Sequence, residues 1–431
     1  MYNIPIATPY LRDVEMTDVV ESLHNYTSEK KTKKPKKRIV YYHSLEPEKN
    51  HKKIDFTKKL PLELCIYIIT FLDFDTLRCI PKLSRSWANL FYADDIWKTQ
   101  MIQRGWRLKI PPYYFLSPEE QSWYYWFKQQ YQLEIRWRTG QVASHYLVGH
   151  LDSVYCLQFD DTKIVTGSRD RTIKIWDLQL YQCIDTLEGH QGSVLCLQYN
   201  EHVIVSGSSD HTVIIWDIKT KRMRGRLHGH TAGVSDVSFD DRHIISSSKD
   251  GSIRIWSSRS FQPLRMIMGH RGPVNAIELK DNYLVSASSD TMIKLWHVET
   301  GELVREFAGH KYGLACVQFD GKTIVSGSND YTIRVWDAET GLCTRIFQGH
   351  LGLVRNLRFD GDKIVSASYD ETIRVWDIKS GACLLNFQSG HKSWIFDVQF
   401  DKKRIISASQ DRKILIMDFS YGLNTACLDL D

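Results

Sequence analysis

A Gly-His pair recurs seven times in the last two thirds of this chain. Its histidines are His150, His190, His230, His270, His310, His350 and His391, giving five intervals of 40 residues and one of 41. Twenty residues after each histidine stands an aspartate (Asp170, Asp210, Asp250, Asp290, Asp330, Asp370, Asp411). Six residues further comes a tryptophan, Trp176 through Trp376, replaced by Met417 in the last unit. A fixed period of this length predicts an array of like supersecondary units. Segments such as Lys163-Ile-Val-Thr-Gly-Ser168 and Thr172-Ile-Lys-Ile-Trp176 are short, alternating and β-branched, with Gly, Asp or Asn at their ends, which predicts strands. A four-stranded unit of about 40 residues cannot cover both faces of its own sheet, so it must stack on its neighbours, and a ring of such units closes with no free end.

The recurrence of His, Ser or Thr, and Asp, as in His190, Ser206 and Asp210, has the make-up of a catalytic triad. Seven copies of one active site in one chain make no chemical sense. Seven hydrogen-bonded clips, joining loop histidine, turn aspartate and strand hydroxyl to the tryptophan N–H, do. No phosphate-binding Gly-Lys loop, dinucleotide fingerprint, H-E-x-x-H or G-x-S-x-G is present, so catalysis by this chain alone is not expected, nor is a metal or cofactor. These landmarks resemble those of WD-repeat β-propellers from about residue 141 to 419, although Ser257 and His297 stand where an aspartate usually follows the tryptophan. The fold class expected is an all-β seven-bladed WD-repeat β-propeller preceded by an all-α segment and helical linker.

Charge and cysteine content narrow the setting. The net charge of +5 is misleading as a total, because seven of the nine residues from Lys30 to Arg38 are basic and the remainder therefore sums to −2. A global nucleic-acid-binding surface is not supported, and no nucleic-acid partner is expected. No apolar run reaches the roughly 18 to 20 residues that cross a bilayer, and the first residues lack a signal-peptide pattern, so no membrane partner is expected either. Nine scattered cysteines without a C-x-x-C pair fit reduced thiols in a soluble intracellular protein.

Ahead of the repeats the character changes at about Phe56. In Leu60-Pro-Leu-Glu-Leu64 and onward to Leu72, Pro61 suits a first helical position and Leu64, Ile68 and Leu72 recur on one face. Leu83, Trp87 and Leu90 or Phe91 line a further face, followed by Asp94-Asp-Ile-Trp-Lys98. Small helices with bulky residues on several sides cannot bury them alone and need a partner. The segment from Leu60 to Lys98 resembles an F-box, in its Leu-Pro, Glu-Leu, Phe-Leu, Ser-Arg-x-Trp and final Trp-Lys. The resemblance implies docking to the adaptor subunit of an SCF-type ubiquitin ligase, with its cullin and RING protein. Leu60, Pro61, Leu64, Ile68, Leu72, Leu77, Leu83, Trp87 and Trp97 would form that interface or its support. Six of the 13 tryptophans lie between Trp87 and Trp137. Ser117-Pro-Glu-Glu120 predicts a helix start, and the helix running from there towards Trp137 would be a stiff strut.

By resemblance to propellers, the residue five after each Gly-His histidine (Tyr155, Leu195, Ser235, Asn275, Ala315, Arg355, Phe396) faces the narrower channel mouth. So does the residue before each turn aspartate (Arg169, Ser209, Lys249, Ser289, Asn329, Tyr369, Gln410). Neither set contains a carboxylate, and Arg169, Lys249 and Arg355 make an anion site, arginine being suited to bidentate phosphate contact. Among F-box plus WD-repeat proteins the chain is similar to the β-transducin-repeat-containing type, through stretches such as Val154-Tyr-Cys-Leu-Gln-Phe159, Ser193-Val-Leu-Cys-Leu-Gln-Tyr199 and Ile414-Leu-Ile-Met-Asp-Phe419. That family reads a doubly phosphorylated degron. Its contact positions match Tyr155, Arg169, Ser209, Asn275, Gly313, Ala315, Arg355 and Tyr369, with Lys249 and Ser289 on the same rim. Tyr312 and Trp394 stand where the family has arginines, which implies fewer phosphates or an aromatic or apolar degron residue.

The resemblance implies a substrate-recognition subunit, itself non-catalytic, that brings phosphorylated proteins to ubiquitin transfer. The rivals are a WD-repeat scaffold of a signalling or chromatin complex and a hydrolase built on a propeller, the latter opposed by the missing carboxylate cluster at the mouth. The expected layout is a disordered basic arm at 1–55, F-box at 56–100, helical linker at 101–140, propeller at 141–419 and tail at 420–431. In the arm, residues 10–20 suggest a short helix through which a homodimer is left open, and Lys33-Lys-Pro-Lys-Lys-Arg38 reads as a nuclear import signal, so cytoplasm and nucleus are the expected locations.

Overall fold

A computed structural model describes residues 55–111, 114, 117–388 and 390–430. Residues 10–20 and the basic run from Lys30 to Arg38, with the homodimer and import-signal readings that rest on them, lie outside the described residues. The chain divides into two units after Lys59, the second running from Leu60 onward. In the first, Phe56–Lys58 make a single 3-10 turn capped by Asp55.

The repeats form a seven-bladed propeller. Six blades are antiparallel sheets of four consecutive strands: blade 1 from Val154 to Glu188, and blades 2 to 6 beginning at Val194, Val234, Val274, Leu314 and Val354. Blade 7 takes three strands from Ile395 to Asp418 and its outermost strand, Ala143–Val148, from ahead of blade 1, with Leu147 opposite Ile414. The ring is therefore closed by backbone bonds between segments about 270 residues apart. The second strand of each blade is buried along nearly its whole length, because both sheet faces are covered. The close stacking shows at Gly167, where a Cβ would come within 2.6 Å of both Cys156 Sγ and Val194 Cγ1.

The repeating polar residues form the clips. In six blades the histidine Nδ1 lies 2.8–3.0 Å from the aspartate, its Nε2 2.7–2.9 Å from the strand hydroxyl, and the tryptophan Nε1 donates to that hydroxyl at 2.8–3.0 Å. Burial alone would raise the Asp170 carboxyl. Bonds from His150, Thr172 and the Leu151 N–H outweigh it and hold the carboxyl well below the usual carboxylate range. In blade 7 Met417 is buried in the tryptophan's place, and His391 still meets Asp411 and Ser407.

The innermost strand of every blade carries a register shift, as between Val154 and Cys156, Val234 and Asp236, or Ile395 and Asp397. The skipped residues are Tyr155, Leu195, Ser235, Asn275, Ala315, Arg355 and Phe396. Such a bulge adds twist and turns two adjacent side chains towards one region.

Ahead of the propeller stand α1 (Leu62–Thr70), α2 (Phe74–Cys79), α3 (Arg85–Phe91), α4 (Asp94–Gln103) and α5 (Trp123–Thr139). Asp73 and Ser84 cap α2 and α3 by accepting from the Thr76 and Trp87 N–H groups. Pro61 is the N-cap of α1 rather than its first helical residue. The expected helix start at Ser117 is corrected. Ser117 does accept from the Glu120 N–H, but the turn it caps does not continue. α5 starts at Trp123 with Ser122 as N-cap, where the Trp123 N–H is taken by Asp94 and the Glu120 carbonyl by the Trp126 indole. α5 joins two cores. Near its start, Phe127 packs with Trp97 and Phe74. At its end, Trp137 stacks on Phe419 at 3.8 Å and donates to the Lys402 carbonyl, Arg136 donates to the Phe419 carbonyl, and left-handed Gly140 stops the helix. The segment after the propeller also returns to the linker: the Lys109 N–H donates to Cys427 O and the Asp429 N–H to Arg107 O.

Candidate functional site

The channel through the ring holds a cavity of about 270 Å³. Tyr155, Leu195, Ser235, Asn275, Ala315, Arg355 and Phe396 all line it, brought there by the seven bulges. Arg169, Ser209, Lys249, Ser289 and Tyr369 do not line the cavity. They sit on turns whose N–H groups donate to the third residue after each Gly-His histidine, as Arg169 does to Ser153 O and Tyr369 to Leu353 O. Tyr312, Gly313 and Trp394 lie on those histidine loops. The two predicted sets thus become a cavity wall and a rim. Gly313 is dictated by contact, since a Cβ there would meet Ser289 Cα at 2.9 Å.

Within this arrangement side chains group unevenly. Trp394 and Tyr369 stack in parallel at 4.6 Å, Tyr369 meets Phe396 at 5.8 Å and Phe396 meets Tyr155 at 4.8 Å, an unbroken aromatic run from rim to cavity. Burial raises the Tyr155 phenol, while Arg169 and Arg355 pull it down, so both cations act on one hydroxyl. Arg169 is exposed, with Nε 3.7 Å from Asp152, and the half-buried Arg355 reaches towards Ala315 O at 3.4 Å. Lys249 lies away from these two, on blade 3. Asn275 Nδ2 donates to Ser289 Oγ and Leu314 O.

Neither of the two predicted sets contains a carboxylate, but the cavity wall beside them does. Asp236, Glu278 and Asp397 line it with Arg358. Strand alternation would turn Asp236 and Asp397 away from Ser235 and Phe396, and the bulge is what lets neighbours share the channel. Asp236 accepts from the Val237 and Ile277 N–H groups, and Asp397 from the Leu157 N–H and Asn356 Nδ2. The Ile277, Leu157 and Asn356 donors belong to neighbouring blades, so these carboxylates clip blades together, Asp397 across the ring closure. Burial pushes Asp236 up to about 6, and Glu278 and Asp397 up to about 7, against the pull of Arg358. A raised carboxyl in the folded state contributes stability that is complete below its ordinary pKa near 4 and lost as pH rises through about 7. Asp397→Asn is expected to gain stability to denaturant relative to the unsubstituted chain as pH goes from 5 to 8, by up to about 1.4 kcal/mol per pH unit between 5 and 7. A difference independent of pH would refute this assignment.

The helical domain presents the other candidate surface. Leu60, Pro61, Leu64, Ile68 and Leu83 are exposed, Leu64 by 49% and Leu83 by 63%. Leu72 and Trp87 are half-buried, while Leu77 and Trp97 are buried and support the surface from within. Sequence reasoning missed Leu62, Tyr67 and Phe71, exposed on or just beyond α1, with Phe71 67% exposed. Cys65, Ile69 and Thr70 face inwards, where Gln100 Nε2 donates to Thr70 O. Contiguous apolar exposure on this scale is uncommon on a surface that meets only water.

The WD domain, G-beta repeat family matches residues 141–177, 181–217, 221–257, 261–297, 301–337, 341–377 and 381–418, and the chain belongs to this WD-repeat family. It is similar to the probable E3 ubiquitin ligase complex SCF subunit sconB of Arthroderma benhamiae, 31% identical over 31% of this chain and 25% of that one. It is also similar to human F-box/WD repeat-containing protein 2 (31%, over 31% and 28%) and to F-box/WD repeat-containing protein 7 of Drosophila melanogaster (33%, over 31% and 11%). These matches span between 11% and 28% of the relatives' length. Among solved structures, the computationally designed Ika8 protein is similar at TM-score 0.55 and 33% identity, over 63% of this chain and 85% of that one.

Proposed function

We propose that this chain is the substrate-recognition subunit of an SCF-type cullin-RING ubiquitin ligase, non-catalytic in itself. The F-box, over 56–100, docks on the adaptor and through it on cullin and RING protein. The linker over 101–140 holds the propeller over 141–419 at a set distance, and a phosphorylated segment of the target binds at the mouth and is carried to ubiquitination and proteasomal degradation. One observation carries this reading: an exposed apolar helical face and a mouth of arginines and aromatics are joined by one helix packed into both domains. The SCF and F-box relatives support it. We assign the protein to cytoplasm and nucleus through Lys33–Arg38.

Co-purification tests the ligase assignment. Adaptor and cullin are expected with the unsubstituted chain and should be lost with Leu64→Lys plus Trp87→Ala. Failure to recover either with the unsubstituted chain would favour the scaffold reading.

A further inference from the structure

The blades are copies of one unit, so a sector of the rim that departs from the common pattern points to what the rim holds. Directly after the Gly-His histidine, blades 2 and 3 carry Gln191 and Thr231, but blades 1 and 6 carry Leu151 and Leu351, 79% and 82% exposed. Neither leucine is needed by the fold, since each joins its neighbouring turn through the backbone, Leu351 N–H to Asp370 and Leu151 N–H to Asp170. The adjoining turn residues are Tyr369 and Arg169, so the exposed leucines flank the aromatic wall and the arginine. Tyr312 on blade 5 and Trp394 on blade 7 extend the same sector. Its cations are Arg169 and Arg171 on blade 1, Lys311 on blade 5, Arg355 on blade 6, and Lys392 and Arg412 on blade 7. The opposite sector has Lys249 and Arg271, set among Ser209, Thr231 and Ser289 with no aromatic side chain at these rim positions.

Resting on the phosphopeptide reading above, we infer that the bound segment crosses blades 5, 6, 7 and 1 rather than centring on the channel. It couples a single anionic group, set against Arg169 and Arg355, to a bulky apolar side chain laid on the Trp394–Tyr369 wall and Leu351. The parallel stack of Trp394 on Tyr369 leaves no slot between the rings, so the ligand side chain lies against the wall. The cations and apolar residues are interleaved, which fits a peptide carrying both kinds of group.

The test uses the full chain with fluorescein-labelled 12-residue peptides in one Gly-Ser background. They carry one phosphoserine with Phe one to four residues away, one phosphoserine without Phe, glutamate with Phe, or two phosphoserines without Phe. The best single-phosphoserine peptide with Phe should bind about tenfold tighter than that without, and tighter than the doubly phosphorylated peptide. Glutamate in place of phosphoserine should match it if any anion suffices, and fall behind if phosphate is read. Trp394→Ala or Leu351→Ala should erase the Phe advantage, Trp394→Phe should restore most of it, and Gln191→Ala or Thr231→Ala should leave it unchanged. No Phe preference, or equal losses from the Gln191 and Thr231 variants, overturns the path across this sector while leaving phosphate recognition intact. Equal binding of all peptides and their dephosphorylated forms refutes phosphate recognition and the path with it.

Discussion

Arg169→Glu combined with Arg355→Gln is expected to weaken capture of a phosphorylated target by more than about 100-fold, with the adaptor still bound. In the proposed site each arginine would supply charge-assisted bonds worth roughly 1.5–3 kcal/mol, and losing two of them corresponds to that factor. The substitutions differ because the environments differ. Arg169 is on the open rim, where a reversed charge repels phosphate and disturbs little else. Arg355 interacts with Asp236 and Asp397 below it, so a glutamate there would add a carboxylate to a buried acidic group, and the neutral glutamine isolates its part in binding. Fluorescence anisotropy with a phosphopeptide and its dephosphorylated twin measures the effect, and a change of less than about threefold would remove these residues from the site.

Leu147→Asp is expected to lower the apparent melting temperature by about 10 °C. Leu147 is buried in the strand that completes blade 7, packed with Val154, Leu157, Trp176, Ile406 and Ile416. Replacing it loses a core side chain, at about 2–5 kcal/mol, and places an unpaired carboxylate among aliphatic residues. A domain of this size shifts by about 2–4 °C per kcal/mol. Val148→Asp, next in the same strand but facing solvent, should cost little. Thermal scans of both variants decide the point. Equal melting would mean that closure does not depend on this side chain.

The repeat was legible because its landmarks are bonded to one another. His190, Ser206, Asp210 and Trp216 keep a fixed spacing since each must reach the next across two strands and a loop. What escaped the sequence depends on features with no residue signature of their own. A bulge at Ser235 and Phe396 brings Asp236 and Asp397 into the channel, and alternation alone argues the reverse. Ser117 and Ser122 are both sound N-caps, and Asp94, 29 residues before Trp123, favours the second by accepting from the Trp123 N–H. Leu77 and Trp97 share the apolar character of Leu64 and Leu83, so only packing separates support from surface. The return of residues 427–429 to 107–109 joins segments with no shared pattern.

Ring closure also sets an order on biosynthesis. Ala143–Val148 leaves the ribosome long before its partner Lys413–Asp418, and must wait unpaired while the intervening blades are made. The seat of α5 belongs to the same late segment, since Trp137 rests on Phe419 and Lys402. A chain halted inside blade 6 has α1 to α5 and no fixed angle between them and the blades. The last blade to be translated is therefore the one that aligns the two ends of the molecule.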